Sequence, residues 1–116
     1  MSKIIIEADS TYVAEDSTIA LLNGGFVARN ARITYNLKKG LPSREQHEEY
    51  PLILEGHMKN LPMRVYVYSV TAGYGGTGPN TLVRILRAAK FKFAEKDILT
   101  DRLADKFGQI ELELVR

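Results

Sequence analysis

The sequence contains no cysteine and no tryptophan, and its charges nearly cancel, leaving a net charge of +2 at pH 7. Without cysteine, the fold has no disulfide bond, no thiol nucleophile and no cysteine-based zinc site. A net charge this small gives no argument for binding to duplex nucleic acid or to a membrane surface. These absences exclude the function classes that depend on thiols or on a strongly basic surface.

Long apolar runs are also missing. No run approaches the ~20 residues of a membrane-spanning helix, and residues 1–10 turn acidic too early for a signal peptide. We therefore expect a soluble cytoplasmic protein. The 116 residues, of which 45 % are hydrophobic and 26 % charged, have the length and composition of one globular domain, residues 1–116.

The order of predicted elements, many short strands followed by helices, favours an α+β fold. We expect a mostly antiparallel sheet of about six to seven short strands, with two C-terminal helices packed on one face. The β-branched run Lys3–Glu7 is typical of a strand buried on both faces. Residues 11–14 then form either a second short strand or an irregular link.

The segment around Asn23-Gly24 has two interpretations. The first is a β-hairpin, in which residues 17–22 and 26–29 are strands and Asn-Gly forms a type I′ turn. The second is a short helix that starts at a cap residue, Asp16 or Ser17, and ends at Gly24 in a left-handed conformation. The same glycines serve both interpretations.

Further strands follow from apolar or alternating runs; they are predicted at Arg32–Leu37, Leu52–Glu55, Arg64–Val70, Phe91–Phe93 and Gln109–Val115. Because both faces of residues 64–70 are apolar, this strand is expected to be central and covered on both sides, or to meet a ligand or partner on one face. Residues 56–62 then form a loop or a wide hairpin connection. A capping box of Ser43 and Gln46 predicts one or two turns of helix from Arg44.

The clearest helix begins at the sequence Thr77-Gly78-Pro79, because proline is tolerated at the first helical position. Its N-cap is expected at Gly78 or Thr77. Apolar residues at helical spacing predict its buried stripe, and polar residues its exposed flank: Leu82, Ile85, Leu86 and Ala89 inside, Asn80, Arg84 and Arg87 outside. A second helix is predicted from a cap at Asp97 to Phe107, with Leu99, Leu103 and Phe107 spaced four apart and Gly108 as its stop.

The loop Gly73–Gly78 carries the strongest functional signal. Gly73, Gly75 and Gly78 match the pattern G-x-G-x-x-G of dinucleotide-binding folds, and Gly73 and Gly78 have the spacing of a P-loop. Pro79 and Asn80 nevertheless stand where a P-loop has Lys and Ser/Thr. The repeated βαβ units of a dinucleotide-binding fold do not fit in the chain that follows the loop. A true Rossmann or P-loop enzyme is therefore not expected.

The physical basis of both motifs still applies, because successive glycines let backbone N–H groups approach an anion at a helix N-terminus. In this hypothesis the N–H groups and side chains of Asn80 and Thr81 bind a phosphate. Arg84 adds a bidentate contact, and Tyr74 stacks on a base. The predicted ligand-binding residues are Gly73, Tyr74, Gly75, Gly76, Thr77, Gly78, Asn80, Thr81 and Arg84. The alternative interpretation is that the loop only connects a strand to a helix.

Other side chains give weaker signals. His47 lies among acidic residues without a standard metal-ligand spacing, so no metal site is predicted. His57 is either a surface residue or an acid–base residue near the glycine loop, if strands 52–55 and 63–70 pair. Tyr66 and Tyr68 alternate on one strand, an arrangement typical of core aromatics or of a platform for single-stranded RNA.

No catalytic residue or cofactor is identified, so the leading hypothesis is a small non-enzymatic binding protein for a phosphate-bearing small molecule. The ligand would be a nucleotide or a nucleotide-derived signal, and a phage or bacterial accessory protein that sequesters it fits the size of the chain. A homo-oligomer is expected, because small binders often build a site across a symmetric dimer.

Two rival hypotheses remain. One is a protein–protein interaction module, such as an inhibitor, immunity or antitoxin-like partner, that uses the loop and the tyrosines as a contact surface. The other is an enzyme acting on a nucleotide, with His57 or Tyr74 as its acid–base residue.

Overall fold

The computed structural model describes residues 2–36, 39–72, 75–99 and 109–116, apart from the side chains of His47 and Gln109. The elements are β1 (Ser2–Ile6), α1 (Thr11–Asn23), β2 (Phe26–Asn36), a 3₁₀ turn (His47–Glu49), β3 (Leu52–Met58), β4 (Leu61–Val67), α2 (Thr77–Ala88), α3 (Lys96–Leu99) and β5 (Gln109–Val115). Among these residues, no helix is both long and apolar enough to cross a membrane.

The described strands form one five-stranded sheet in the order β1-β4-β3-β2-β5. β1 pairs with β4 in parallel, whereas the other neighbours are antiparallel. The fold is a single α+β domain with a mixed sheet, as expected in outline. Two finer predictions were wrong. The described part of the sheet has five strands rather than six or seven, and α1 lies near the N-terminus, so the helices are not all C-terminal.

One face of the sheet packs against the helices around the main core. The predicted stripe of α2 is buried there, with Leu82, Ile85 and Leu86 fully inaccessible and Ala89 nearly so. Asn80, Arg84 and Arg87 face solvent, as predicted. β5 also follows its predicted alternation, because Ile110 is buried while Glu111 and Glu113 are exposed.

The opposite face carries a small second core of Tyr50, Ile53 and Tyr66. Tyr50, from the connection between β2 and β3, packs edge-on against both Tyr66 and Tyr68, with ring centroids 5.8 Å apart in each pair. β4 is therefore covered on both faces, which confirms its prediction as a central strand. Because Tyr66 is fully buried, its ring is a core aromatic and is not available to stack on RNA.

Of the two interpretations of the segment around Asn23-Gly24, the hairpin was wrong and the helix was correct, although the helix starts earlier than the predicted cap at Asp16 or Ser17. Ser10 is the N-cap, and its side chain accepts a hydrogen bond from Tyr12 N at 3.2 Å. The capped start makes residues 11–14 the first turn of α1 rather than a strand. The left-handed position at the helix end is Gly25, with φ +111°, because Gly24 has φ −82°.

Three strand predictions also change. β1 is an edge strand with Ile5 37 % exposed, so it is not buried on both faces. β2 is one long strand, interrupted in its pairing with β3 by a bulge at Arg29, rather than two strands. Residues 56–62 belong mostly to β3 and β4, which join in a tight hairpin because Lys59 and Asn60 both adopt positive φ.

The remaining corrections concern short elements. Residues 44–45 form a turn followed by the 3₁₀ turn, so no helix starts at Arg44. Residues 91–93 are not a strand, although Phe91 is buried against the core. Asp97 lies inside α3 rather than at its cap. Leu103, Phe107 and Gly108, predicted for the same helix, lie outside the described residues.

Candidate functional site

Two loops and two helix N-termini meet at one end of the sheet. Because β1 and β4 are parallel neighbours, with Ile6 opposite Val67, their carboxyl ends lie side by side. β1 continues through Glu7–Ser10 into α1, and β4 continues through residues 68–76 into α2. We call residues 7–12, 68–72 and 75–80 the parallel edge. The crevice outside the carboxyl ends of strands is where open α/β sheets bind ligands.

Hydrogen bonds tie the two loops of the parallel edge together. Tyr68 N donates to Ile6 O at 3.0 Å, and the buried hydroxyl of Ser69 donates to Ala8 O. Ser69 has φ +65°, a left-handed conformation that costs a non-glycine residue on the order of 1–3 kcal/mol. The bond to Ala8 holds Ser69 in this conformation and joins the two loops.

The start of α1 is satisfied by the protein itself. Its cap is Ser10, and the preceding Asp9 accepts a 2.5 Å hydrogen bond from the guanidinium of Arg44. That hydrogen bond raises the pKa of Arg44, whose guanidinium also lies 4.6 Å from the centre of the Tyr68 ring. Arg44 therefore brings a cation to the parallel edge, although a carboxylate already binds it.

The start of α2 differs because no side chain of the described residues caps it. The N-cap is Gly76, two residues before the predicted Gly78 and one before Thr77, and the first turn contains no acidic residue. A Cβ placed on Gly75 would have no atom within 4 Å, so this position faces open space. The N–H of Thr77, in the first turn, has no acceptor within the helix.

The earlier helix start changes the roles predicted for Asn80 and Thr81. Asn80 N donates to Gly76 O at 3.0 Å, and the Asn80 amide donates to the same oxygen at 2.7 Å. Thr81 is completely buried. Both residues lie inside the helix, past the first positions whose N–H groups have no partner in the helix. Neither residue therefore supplies the free N–H group that was predicted.

Gly78 has a structural role. It is buried against Thr71, and a Cβ at this position would lie 2.1 Å from Thr71 Oγ1. Glycine at this position therefore permits close packing between the helix and the loop that follows β4. The two glycines therefore have different roles. Gly78 allows close packing against Thr71, while Gly75 leaves the surface before α2 open.

Arg84 is bound to α1 rather than free to clamp a phosphate. Its Nε lies 2.5 Å from Glu15 Oε1 and 3.2 Å from Oε2, and its guanidinium also donates to Thr81 Oγ1 at 3.1 Å. The hydrogen bond to Glu15 raises the pKa of Arg84. The pair joins α2 to α1, and the Glu15 side chain is only 13 % exposed. It therefore helps to hold the two helices together.

Of the predicted site residues, the structure brings Gly75, Gly76, Thr77 and Asn80 to the exposed start of α2. It buries Gly78 and Thr81, and it pairs Arg84 with Glu15. Gly73 and Tyr74 lie outside the described residues.

Of the two interpretations of His57, the acid–base residue near the glycine loop was wrong, although β3 and β4 do pair. His57 lies opposite Pro62 at the amino end of β4, whereas the loop follows Val67 at its carboxyl end. These ends are about 17 Å apart at the usual rise of a strand. His57 therefore has no place at the parallel edge.

Sequence reasoning missed four residues at or beside this edge: Ser10, Glu15, Arg44 and Ser69. Ser10 had a local signal, since serine is a preferred N-cap residue. Glu15 and Arg44 had none, because each acts on a residue 35 or more positions away.

Among the described residues, no group of three or more His, Asp or Glu side chains is placed to hold a metal ion. The chain matches no protein-family model, and it has no significant match among curated proteins or solved structures.

Proposed function

We propose that this protein binds a small phosphate-bearing molecule at the parallel edge, without converting it. The observation that carries the proposal is the parallel pairing of β1 with β4, which directs the N-termini of α1 and α2 to the same end of the sheet. Neither helix has an acidic residue in its first turn.

The electrostatic reason is the sum of two helix dipoles. Each helix N-terminus carries about half a positive charge, and α1 and α2 have 13 and 12 residues. The cap of α1 is a neutral serine, and the carboxylate of the preceding Asp9 is paired with Arg44. The uncapped end of α2 and the open space beside Gly75 then let a phosphate oxygen approach the N–H of Thr77.

An aromatic residue beside the two helix starts favours a nucleotide over inorganic phosphate. Tyr12 lies in the first turn of α1 and is 64 % exposed, so its ring is accessible for stacking on a base. In this proposal Tyr12 takes the stacking role predicted for Tyr74. Arg84, because it is bound to Glu15, positions α2 beside α1 rather than contacting the ligand.

Binding without turnover is proposed because the carboxylates nearest the edge are already engaged. Glu7 accepts a 2.6 Å hydrogen bond from Tyr50, Asp9 pairs with Arg44, and Glu15 pairs with Arg84. None of the three is a free general base. Such a protein would lower the free concentration of its ligand, which is the activity of an accessory protein that sequesters a nucleotide signal.

The test combines native mass spectrometry of the purified protein with a thermal-shift screen of nucleotides, cyclic nucleotides and sugar phosphates. Native mass spectrometry also reports whether the chain forms the homo-oligomer expected from its size. A ligand at 100 times its dissociation constant adds about 2.7 kcal/mol of stability, which raises the melting temperature by several degrees in a domain of this size.

Gly75 offers a matched pair of variants for this test. Both Gly75→Ala and Gly75→Asp place their side chain in open space, so both are expected to fold. Gly75→Ala should keep the ligand-induced shift, whereas Gly75→Asp should lose it because its carboxylate repels the phosphate. A shift that survives unchanged in Gly75→Asp would contradict the proposed site.

A protein–protein contact is the second candidate function. Adjacent apolar side chains favour it, since Tyr12 is 64 % and Val13 is 53 % exposed on α1. The tyrosines originally predicted for this surface do not support it, because Tyr66 is buried and Tyr68 is half-buried beneath Arg44. No shift with any compound, together with a protein complex lost in Tyr12→Ala, would favour this candidate over the ligand.

A further inference from the structure

We propose that two copies of this chain associate through β1, which pairs in antiparallel orientation with β1 of the second copy and joins the two sheets. β1 ends the sheet order and, among the described residues, pairs only with β4. Its residues, Ser2–Ile6, include three consecutive isoleucines. An apolar edge strand of this kind is prone to pair with another strand, and a second copy would cover it.

The hydrogen bonds to β4 show which residues of β1 can pair outward. Ile6 O accepts a hydrogen bond from Tyr68 N at 3.0 Å, so Ile6 bonds to β4. The N–H and C=O groups of successive residues point to opposite sides of a strand, so Ile4 also bonds to β4. The backbone groups of Lys3 and Ile5 consequently point away from β4, toward the edge.

The side chains of Lys3, Ile5 and Glu7 form one exposed row beside this edge, which we call the edge row. The row lies on the face of the sheet that carries the second core. Lys3 Nζ is 6.0 Å from the centre of the Tyr66 ring, and Glu7 accepts a 2.6 Å hydrogen bond from the hydroxyl of Tyr50. Along the strand, the edge row is therefore basic, then apolar, then acidic.

This order of side chains is complementary to itself when a second strand runs in the opposite direction. In an antiparallel pair centred on Ile5, the two Ile5 residues are opposite each other. Lys3 of each copy then lies opposite Glu7 of the other, which gives two cross-strand pairs of opposite charge. A shift of the register by two residues in either direction would place Ile5 opposite a charged residue. The edge row therefore specifies both the second copy as the occupant and the register.

The helix-covered face of β1 is compatible with the same register. Ile6 is buried there, whereas Ile4 is only partly buried against the main core. In the pair centred on Ile5, Ile4 lies opposite Ile6 of the second copy. The pairing would therefore remove further apolar surface of Ile4 from water, which stabilises the dimer.

The first test is the oligomeric state of the full chain, measured by sedimentation equilibrium without added ligand. The wild-type protein should dimerise. Lys3→Glu and Glu7→Lys each replace two attractions by two repulsions, so each should weaken dimerisation at least about tenfold. The control, Glu113→Lys, makes the same charge change on β5, at the other end of the sheet order, and should leave dimerisation unchanged.

Mixing the two weakened variants tests the proposed charge pairs directly. The edge row of Lys3→Glu has two acidic residues, and that of Glu7→Lys has two basic residues, so every facing pair in a mixed dimer has opposite charges. An equal mixture should therefore form a heterodimer about as readily as the wild-type protein dimerises. A monomeric wild-type protein, single variants that dimerise as tightly as wild type, or a mixture without heterodimer would overturn the proposal.

Single cysteine variants test the register, because the chain has no cysteine of its own. Residues directly opposite each other in a hydrogen-bonded antiparallel pair have Cα atoms about 5.5 Å apart, which is within the range of a disulfide. Ile5→Cys should therefore form a disulfide-linked dimer with oxidised glutathione. In Lys3→Cys the two sulfur atoms are separated by four residues of strand, about 14 Å, and should not join. No disulfide in Ile5→Cys, or equal cross-linking of both variants, would overturn the proposal.

Discussion

The two strand–loop–helix units at the parallel edge have the same topology but complete their helices differently. In the β1–α1 unit, Ser10 caps the helix and the loop carries charged side chains, one of which is paired with Arg44. In the β4–α2 unit, the loop is glycine-rich, the cap is Gly76, and no side chain caps the helix. The first unit is closed by its own residues, whereas the second leaves a helix N-terminus open.

This difference gives the open unit its functional interest. A helix N-terminus without a capping side chain leaves backbone donors unsatisfied, which solvent or a ligand must then satisfy. The closed unit serves as an internal control, because it occupies the same end of the same sheet. Variants that remove the cap of α1, or that add a side chain at the start of α2, therefore test whether the comparison is correct.

The largest effect is expected at Gly78. In Gly78→Ala the new methyl group meets Thr71 Oγ1 at 2.1 Å, and this overpacking should lower the free energy of unfolding by about 2–3 kcal/mol. Gly75→Ala should change it by less than about 0.5 kcal/mol, because that position is open. Chemical denaturation of the two variants measures this difference between two glycines of one loop.

The double variant Gly78→Ala/Thr71→Ala controls for the mechanism. Removing the Thr71 side chain removes the clash, so the double variant should be more stable than the sum of the single changes predicts. Strict additivity would mean that Gly78 is needed for some reason other than its contact with Thr71.

A smaller and asymmetric effect is expected for the pair that joins the two helices. Arg84→Ala leaves the nearly buried carboxylate of Glu15 without a partner, and should cost about 1–2 kcal/mol. Glu15→Ala leaves a guanidinium that is already half exposed, and should cost less than about 1 kcal/mol. Urea unfolding of both single variants and of the double variant gives this ranking. Equal losses of stability in the two single variants would show that the burial of Glu15 does not determine these losses.

The cap of α1 should give the next effect. Ser10→Ala removes the hydrogen bond to Tyr12 N and should cost about 1 kcal/mol. The matched change in the open unit, Thr77→Ala, should stay within about 0.5 kcal/mol, because α2 has no side-chain cap. Thermal unfolding of both variants makes the comparison. A cost for Thr77→Ala equal to that for Ser10→Ala would mean that α2 is capped after all.

The sequence predicted the open unit better than the closed one, for a physical reason. α2 has a wide apolar stripe that includes Leu82, Ile85 and Leu86, so its periodicity identifies the helix. α1 buries mainly small or polar residues, Ala14 and Thr18, and β-branched residues elsewhere in it resemble a strand. Its packing against α2 and the sheet is therefore not visible as an apolar stripe in the sequence.

Contacts between distant residues account for most of what the sequence did not reveal. The parallel pairing of β1 and β4 joins residues about 60 positions apart, and no local pattern encodes it. An anion site at the start of α2 was predicted from the glycine loop and the helix start that follows it, and it remains a proposal. That α1 begins beside it, and that Arg84 is bound to Glu15, required the tertiary structure.

Irregular backbone without glycine caused two further errors. Lys59 and Asn60 form the β3–β4 turn with positive φ, although the pair lacks the usual Asn-Gly signal. The bulge at Arg29 divided one long strand into two predicted ones. In each case a local backbone conformation is stabilised by the sheet around it.

The most direct test of the open helix terminus is an amide chemical-shift titration with sodium phosphate, compared with sodium chloride at equal ionic strength. Phosphate should shift the amides of Gly76 and Thr77 most, with smaller changes at Thr11 and Tyr12, and Gly75→Asp should abolish these shifts. Phosphate shifts spread over exposed lysines and arginines, or none beyond those caused by chloride, would contradict the account.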